Sequence, residues 1–276
     1  MTTAHAFTPG TPCWVDASSS DPAGSRDFYA GLLGWTYRME ADPQTGHYTY
    51  AVLDDLPVAG LSGIAAEPGQ PVEWTVYLAS ANISYTASVV EQHGGQLLYG
   101  PVDIPEQGSM LIGGDPTGAS IGFWQPVTSW VFHNQGPGTF SWAELNTWDG
   151  TVADEFFARI FGYRQRQIGD DTVDYTTWGL GDQTYIGRLQ MGAGFPAETR
   201  PHWLAHFAID PDIGIDAAAF RAVQLGGRIR VDPFDSGLGR ISVIDDPLGA
   251  TFALIDATRT VEPAGGPAAV DDPYDD

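Results

Sequence analysis

Several short stretches of the chain alternate apolar and polar residues with a period of two, the pattern of a half-buried strand. Others carry apolar residues three to four apart, the pattern of a helix. Trp14–Ser18 is the first such strand. Asp21 or Ser20 then caps a helix with apolar Phe28, Leu32 and Leu33 near helical spacing, and Gly34 ends it. Tyr48–Leu53 and Val58–Ile64 follow as strands joined by a turn at Asp54-Asp55. Trp74–Ala79 opens a second round: a helix near Ile83–His93, stopped by Gly94-Gly95, then strands near Gln96–Tyr99, Ser109–Ile112 and Ser120–Trp124. The unit this pattern predicts is βαβββ, present twice before residue 126.

The second half of the chain repeats the first. Residues 10–35 and 138–163 align without a gap at an offset of 128 and are identical at seven of 26 positions. These are Gly10/Gly138, Thr11/Thr139, Trp14/Trp142, Asp21/Asp149, Phe28/Phe156, Ala30/Ala158 and Gly34/Gly162. Downstream, Tyr48-Thr49 pairs with Tyr175-Thr176, Trp74 with Trp203, Gly94-Gly95 with Gly226-Gly227, and Asp115-Pro116-Thr117-Gly118 with Asp246-Pro247-Leu248-Gly249. Two copies of a unit of about 125 residues predict a first domain over 8–125, a linker over 126–137, a second domain over 138–257 and a loose acidic tail over 258–276.

Charge and cysteine content narrow the function. Lys and Arg number 12 and Asp and Glu 35, a formal net charge of −23, which repels phosphate backbones and argues against nucleic-acid binding. The single cysteine, Cys13, excludes an internal disulfide framework and a cysteine-based metal site. No stretch approaches the roughly 18 apolar residues of a membrane-spanning helix, and the first ten residues hold no Lys, Arg or apolar run of a secretory leader. A cytosolic protein is expected; export without such a leader stays open.

In both copies a strand precedes a helix ending in Phe-Tyr…Gly-Trp or Phe-Phe…Gly-Tyr, and a late strand follows Asp-Pro-x-Gly. The residues are Asp21-Pro22…Phe28-Tyr29…Gly34-Trp35 with Asp115–Gly118, and Phe156-Phe157…Gly162-Tyr163 with Asp246–Gly249. This arrangement resembles the vicinal oxygen chelate superfamily of glyoxalases, bleomycin resistance proteins and extradiol dioxygenases, and most of all its tandem two-domain branch. The resemblance covers about residues 10–257. It implies an α+β fold: four βαβββ modules forming two glyoxalase-like domains, with mixed curved sheets and helices on the convex side.

The resemblance also implies a divalent metal held by His or Glu on the first strand of each module and on late strands facing them. Those places fall on Trp14, Trp74, Gly122 and near Ser62 in the first copy, and on Trp142, Trp203, Ala253 and near Arg188 in the second. Indoles, glycine and alanine do not hold a hard divalent ion. No metal and no cofactor is therefore expected. The tryptophans either wall an apolar cleft for planar ligands or fill that cleft as core.

Asp16 and Glu144 lie two residues after Trp14 and Trp142, on the same strand face. Desolvation against indole rings suits them to general acid–base work; hydrogen bonding at the cleft rim is the plainer account. Ligand-binding candidates are Trp14, Tyr48, Tyr50, Trp74 and Trp124 in the first copy, and Trp142, Asn146, Tyr175 and Trp203 in the second, with His47, Ser18 and Thr177 beside them. His202 and His206 alternate with Trp203 and so should face the helices; a rival reading makes a shifted metal site of Glu144, His202 and His206. Arg188, Arg228, Arg230 and Arg240 could clamp an acidic ligand, with ion pairing to the surplus carboxylates as the duller account.

Three functions stand. The first is metal-independent binding, for sequestration or tailoring, of a small, partly aromatic or antibiotic-like metabolite in a tryptophan-lined cleft. The second is a metal-free acid–base enzyme on a polyketide- or quinone-like substrate, using Asp16 or Glu144. The third is a metal-dependent glyoxalase-type lyase or dioxygenase. The partner is a small molecule; four modules make a monomer sufficient, and a homodimer stays open.

Overall fold

The computed structural model describes residues 7–39, 48–63, 72–169 and 173–260. His47 and most of the acidic tail lie outside them. The first module is β1 (Pro12–Ser19), α1 (Pro22–Leu33), β2 (Thr36–Met39), β3 (Thr49–Leu53) and β4 (Leu56–Gly63). The second is β5 (Trp74–Ala79), α2 (Ile83–Gln92), β6 (Gln96–Ile104), β7 (Gly108–Gly114) and β8 (Ser120–Pro126). The third runs β9 (Phe140–Thr147), α3 (Gly150–Phe161), β10 (Arg164–Gln167), β11 (Tyr175–Leu180) and β12 (Gln183–Gln190). The fourth is β13 (His202–Ala208), α4 (Ile215–Gln224), β14 (Arg228–Ser236), β15 (Gly239–Asp245) and β16 (Thr251–Asp256). The fold is α+β, and the βαβββ unit occurs four times. The pattern of residues 36–39 is too short to announce β2, which forms a sheet edge against β3.

The strands form two mixed eight-stranded sheets with the same order, β2-β3-β4-β1-β5-β8-β7-β6 and β10-β11-β12-β9-β13-β16-β15-β14. In each, the first strands of two modules meet antiparallel at the centre, and each runs parallel to the last strand of its own module. The local signals act as expected. Asp21 and Asp149 cap α1 and α3 by accepting the backbone N–H three residues on, and Gly34 and Gly162 close them in the left-handed conformation. Asp115 and Asp246 accept backbone N–H groups of the turns that follow, where Gly118 and Gly249 take φ of 101° and 98°.

The domains pack through their helix-side faces in one continuous aromatic core. Tyr29, Trp35 and Trp74 of the first meet Phe207 and Phe252 of the second, with ring centroids 4.9–5.6 Å apart. Polar tethers cross the same boundary in matched pairs: Trp35 Nε1 donates to the Gly138 carbonyl at 2.7 Å, and the equivalent Tyr163 hydroxyl donates to the Gly10 carbonyl. Tyr29 adds a bond to Asp246 at 3.0 Å.

This packing corrects the placement of two candidates. Trp74 pairs with Ala17 and Trp203 with Leu145, so both indoles lie on the helix side of their sheets. Trp74 donates to the Tyr29 hydroxyl at 2.9 Å, and Trp203 packs on Phe157 and Trp178. Neither lines a cleft. The residues opposite Trp14 and Trp142 are Tyr77 and His206. Matching tryptophans by type put these strands one position out of phase, and an odd shift turns every side chain to the other face.

Candidate binding site: twin Trp–Tyr–carboxylate clusters

Alternation along β1 puts Trp14, Asp16 and Ser18 on the concave face and leaves Cys13, Val15 and Ala17 to the core. On β9 the same rule exposes Trp142, Glu144 and Asn146 to the second cleft. Each copy ties these residues into one hydrogen-bonded chain. Trp14 Nε1 donates to the Tyr48 hydroxyl at 2.7 Å, and that hydroxyl donates to Asp16 Oδ2 at 3.0 Å. Trp142 Nε1 donates to Tyr175 at 3.1 Å, and Tyr175 donates to Glu144 Oε2 at 2.9 Å.

A glycine on the neighbouring strand makes each chain fit. Gly60 stands beside Asp16, and Gly187 beside Glu144. A Cβ at Gly60 would lie 1.8 Å from the Tyr48 hydroxyl oxygen, and one at Gly187 would lie 1.9 Å from that of Tyr175. The tyrosines therefore lie across bare backbone to reach the carboxylates. Neither glycine stands out in the strand pattern. Their equivalent spacing from the two tyrosines was the available signal.

The second donor to each carboxylate differs. Tyr77 donates to Asp16 Oδ2 at 3.2 Å, and Asn146 Nδ2 donates to Glu144 Oε1 at 3.2 Å. Burial pushes the Asp16 carboxyl up to about 7, although the Tyr48 and Tyr77 bonds pull the other way. Burial likewise lifts Glu144 to about 7 against the bonds from Tyr175 and Asn146. Tyr48, Tyr77 and Tyr175 are all pushed well above the usual phenol range, first by burial and then by the adjacent carboxyl. Each cluster is thus a desolvated acid poised near neutrality inside a cage of weak donors.

His202 and His206 share the cleft face with Glu144, contrary to the expectation that they face the helices. The rival metal site still does not form. His202 turns its Nδ1 to the Arg200 carbonyl at 2.8 Å, and only His206 approaches Glu144, Nε2 to Oε2 at 4.0 Å. The facing strand β16 presents Ala253 beside His206. Among the described residues, no three His, Cys, Asp or Glu side chains converge. The donor set does not fit the divalent ion that the resemblance implies.

The four arginines are all engaged. Arg188 is buried on the helix side, paired with Asp154 and Asp174 at 2.7 Å each. Arg228 and Arg230 both pair with Asp245, and Arg240 with Asp216 and Asp235. They cross-link carboxylates and form no clamp over either cluster. Cys13 is fully buried.

The clefts differ most in what covers them. In the first, Tyr50, Trp130 and Phe132 pack on Trp14 with ring centroids 5.8, 4.9 and 5.5 Å away, and Trp130 also covers Trp124 at 5.1 Å. Trp130 and Phe132 belong to the linker, which therefore seals the cleft it follows. Trp14 retains 4% of its exposure. In the second, Thr177 replaces Tyr50, Trp142 is half-buried, and no described ring packs on it.

The chain is 32% identical over 277 residues to DnrV, an anthracycline biosynthesis protein of Streptomyces peucetius, covering 95% of this chain and 99% of DnrV. Among solved structures, a Mn(II)-bound glyoxalase from Novosphingobium aromaticivorans superposes with a TM-score of 0.64 at 16% identity, covering 92% of this chain and 84% of that one. The 2,3-dioxygenase LapB of Pseudomonas sp. KL28 does so with a TM-score of 0.64 at 13% identity, covering 95% and 98%. No family model matches the chain.

Proposed function

The chain belongs to the glyoxalase and extradiol dioxygenase superfamily, in the two-domain family that includes DnrV, and on that premise we propose that it binds a small, partly aromatic metabolite in its second cleft without a metal ion. The observation that carries this reading is the half-buried indole of Trp142, on which no described ring packs, beside a desolvated carboxyl. A flat apolar surface next to one polar cluster is the composition of a small-molecule site. The first domain, sealed by Trp130 and Phe132, serves as scaffold. DnrV's part in anthracycline biosynthesis suggests the ligand class, a planar hydroxylated polyketide or quinone.

The test is calorimetric titration with dihydroxyanthraquinone before and after exhaustive chelation. One site per chain, insensitive to chelator and weakened in Trp142→Ala, is expected. A tightly held divalent ion whose removal abolishes binding would overturn the metal-independent reading. Two equivalent sites would overturn the assignment of the first domain as scaffold.

A second reading has its own observation. Asp16 and Glu144 both lie near pKa 7, where a carboxyl exchanges protons most readily at neutral pH. Glu144 would then move a proton on the bound metabolite. Turnover that survives chelation and disappears in Glu144→Gln separates tailoring from sequestration.

A further inference from the structure

His206 is a buried polar residue of the second domain left without a hydrogen-bond partner. It is 1% exposed, on the cleft face, and neither ring nitrogen has a hydrogen-bond partner. Its Nε2 stands 4.0 Å from Glu144 Oε2, beyond direct hydrogen-bonding reach. The equivalent place in the first domain is Tyr77: it is opposite Trp14 as His206 is opposite Trp142, and beside Gly122 as His206 is beside Ala253. There the protein's own phenol donates to Asp16 at 3.2 Å. Gly122 admits that ring, since a Cβ at that position would lie 2.2 Å from it. The second domain has the carboxylate without the phenol, and an unpartnered imidazole in the phenol's place.

We infer that Glu144 and His206 together receive one neutral hydroxyl of the ligand, a phenol or enol O–H, in the place that Tyr77 occupies in the first domain. This rests on the reading of the second cleft as the ligand site, and it names the chemical group that the site selects.

The chemistry follows from what each partner has left to offer. Glu144 Oε2 accepts one bond from Tyr175 and has capacity for another, and a neutral imidazole offers one donor and one acceptor. A hydroxyl between them donates to the bare imidazole nitrogen of His206 and accepts from the Glu144 carboxyl, which burial keeps protonated up to about pH 7. An ether oxygen accepts the same Glu144 bond but has no proton for His206, and a carboxylate has none either and brings a full negative charge into a desolvated place. Arg228 and Arg230 are already paired with Asp245, so neither is free to compensate. Leu204, Ile241, Ala253 and Ile255 form a buried apolar cluster on the adjoining strands, which suits the hydrocarbon body of the ligand.

The experiment titrates the full chain with 2-naphthol, its methyl ether and 2-naphthoate. Wild type is expected to bind the naphthol about tenfold more tightly than either of the others, the worth of one well-made hydrogen bond. His206→Leu should bring naphthol down to the level of the ether and leave the ether unchanged. His206→Gln, which keeps a donor and an acceptor, should retain most of the preference and carries the test if the leucine variant does not fold. A preference that survives in His206→Leu, or one absent from wild type, overturns the inference. Weakening of all three probes in Trp142→Ala alongside an unmoved preference in His206→Leu would sink the hydroxyl assignment and leave the cleft standing. Binding that responds to neither variant, or no binding at all, removes both.

Discussion

The first and second domains carry the same cluster on the same strands, yet aromatic rings pack over the tryptophan of one and no described ring packs over that of the other. In the first, the linker brings Trp130 and Phe132 down on Trp14, and Tyr77 completes the cage around Asp16. In the second, Trp142 has no ring above it among the described residues, and His206 stops 4.0 Å short of Glu144. The shared parts, tryptophan, tyrosine, carboxylate and the glycine beneath the tyrosine, keep the sheet's concave face hydrogen-bonded in both copies. The differing parts are what packs on the tryptophan and what stands opposite it, and on the proposed reading they decide which copy takes a ligand.

Unplugging the first copy should have the largest effect. Trp130→Ala removes a ring packed on Trp14, Tyr50 and Trp124 and should cost about 3 kcal/mol in urea unfolding. Trp142→Ala should cost only about 1 kcal/mol, because its ring is half-buried and unstacked. Equal costs would erase the distinction between the copies. Trp130→Ala should leave ligand stoichiometry at one per chain, because Tyr77 still fills the place beside Asp16; two sites per chain would show that the linker alone closes the first cleft.

Next come the glycines, where the copies should agree. Gly60→Ala and Gly187→Ala each drive a methyl into a tyrosine hydroxyl and should each destabilise by about 2 kcal/mol. A tolerant Gly187 with an intolerant Gly60 would mean that the Tyr175 bond in the second cluster is dispensable.

The pH dependence should then separate the groups. Asp16 and Glu144 sit near 7 in the folded chain, against about 4 when unfolded. Between those values the folded state holds protons that the unfolded state has released, so stability falls as pH rises from about 4 to about 7. Asp16→Asn and Glu144→Gln should each remove part of that loss, on the order of 1–2 kcal/mol at pH 8. His206 runs the other way. Burial pushes it down to about 3, so it contributes a loss of stability as pH falls below about 6.5, and His206→Leu should flatten that limb. Unfolding curves from pH 4 to 8 for wild type and the three variants decide each sign.

The smallest effect converts one copy into the other. His206→Tyr alone should cost about 1 kcal/mol, because Ala253 stands where the first domain has Gly122. Adding Ala253→Gly should restore stability, let the new phenol reach Glu144, and exclude naphthol from the second cleft. A double variant that still binds naphthol would show that Tyr77 is not what closes the first copy's polar pocket.

Much of this was written locally. The repeat, the Asp21 and Asp149 caps, the Gly34 and Gly162 stops and the Asp-Pro-x-Gly turns are short-range signals whose physics needs no distant partner. Asp16 and Glu144 were legible too, because alternation from Trp14 and Trp142 fixes their face within one strand. The faces of β5 and β13 were not. They depend on which residue lies opposite Trp14 and Trp142, and equating Trp74 with a cleft position reversed both strands, hiding Tyr77 and His206. The linker's two aromatics were in view, but nothing nearby in the chain says what they cover.

By itself, then, the amino-acid order determined four βαβββ modules in two copies, their helix boundaries, and a carboxylate beside an indole at the head of each domain. Those follow from periodicity, capping and turn chemistry, which act over a few residues. Tertiary structure alone decided that Trp74 and Trp203 belong to the interdomain core, that Tyr77 and His206 face the carboxylates, and that Trp130 packs over Trp14 while no described ring packs over Trp142. Those depend on cross-strand register and on where a connecting segment comes to rest, and both are set by the joint burial of surfaces far apart in the chain.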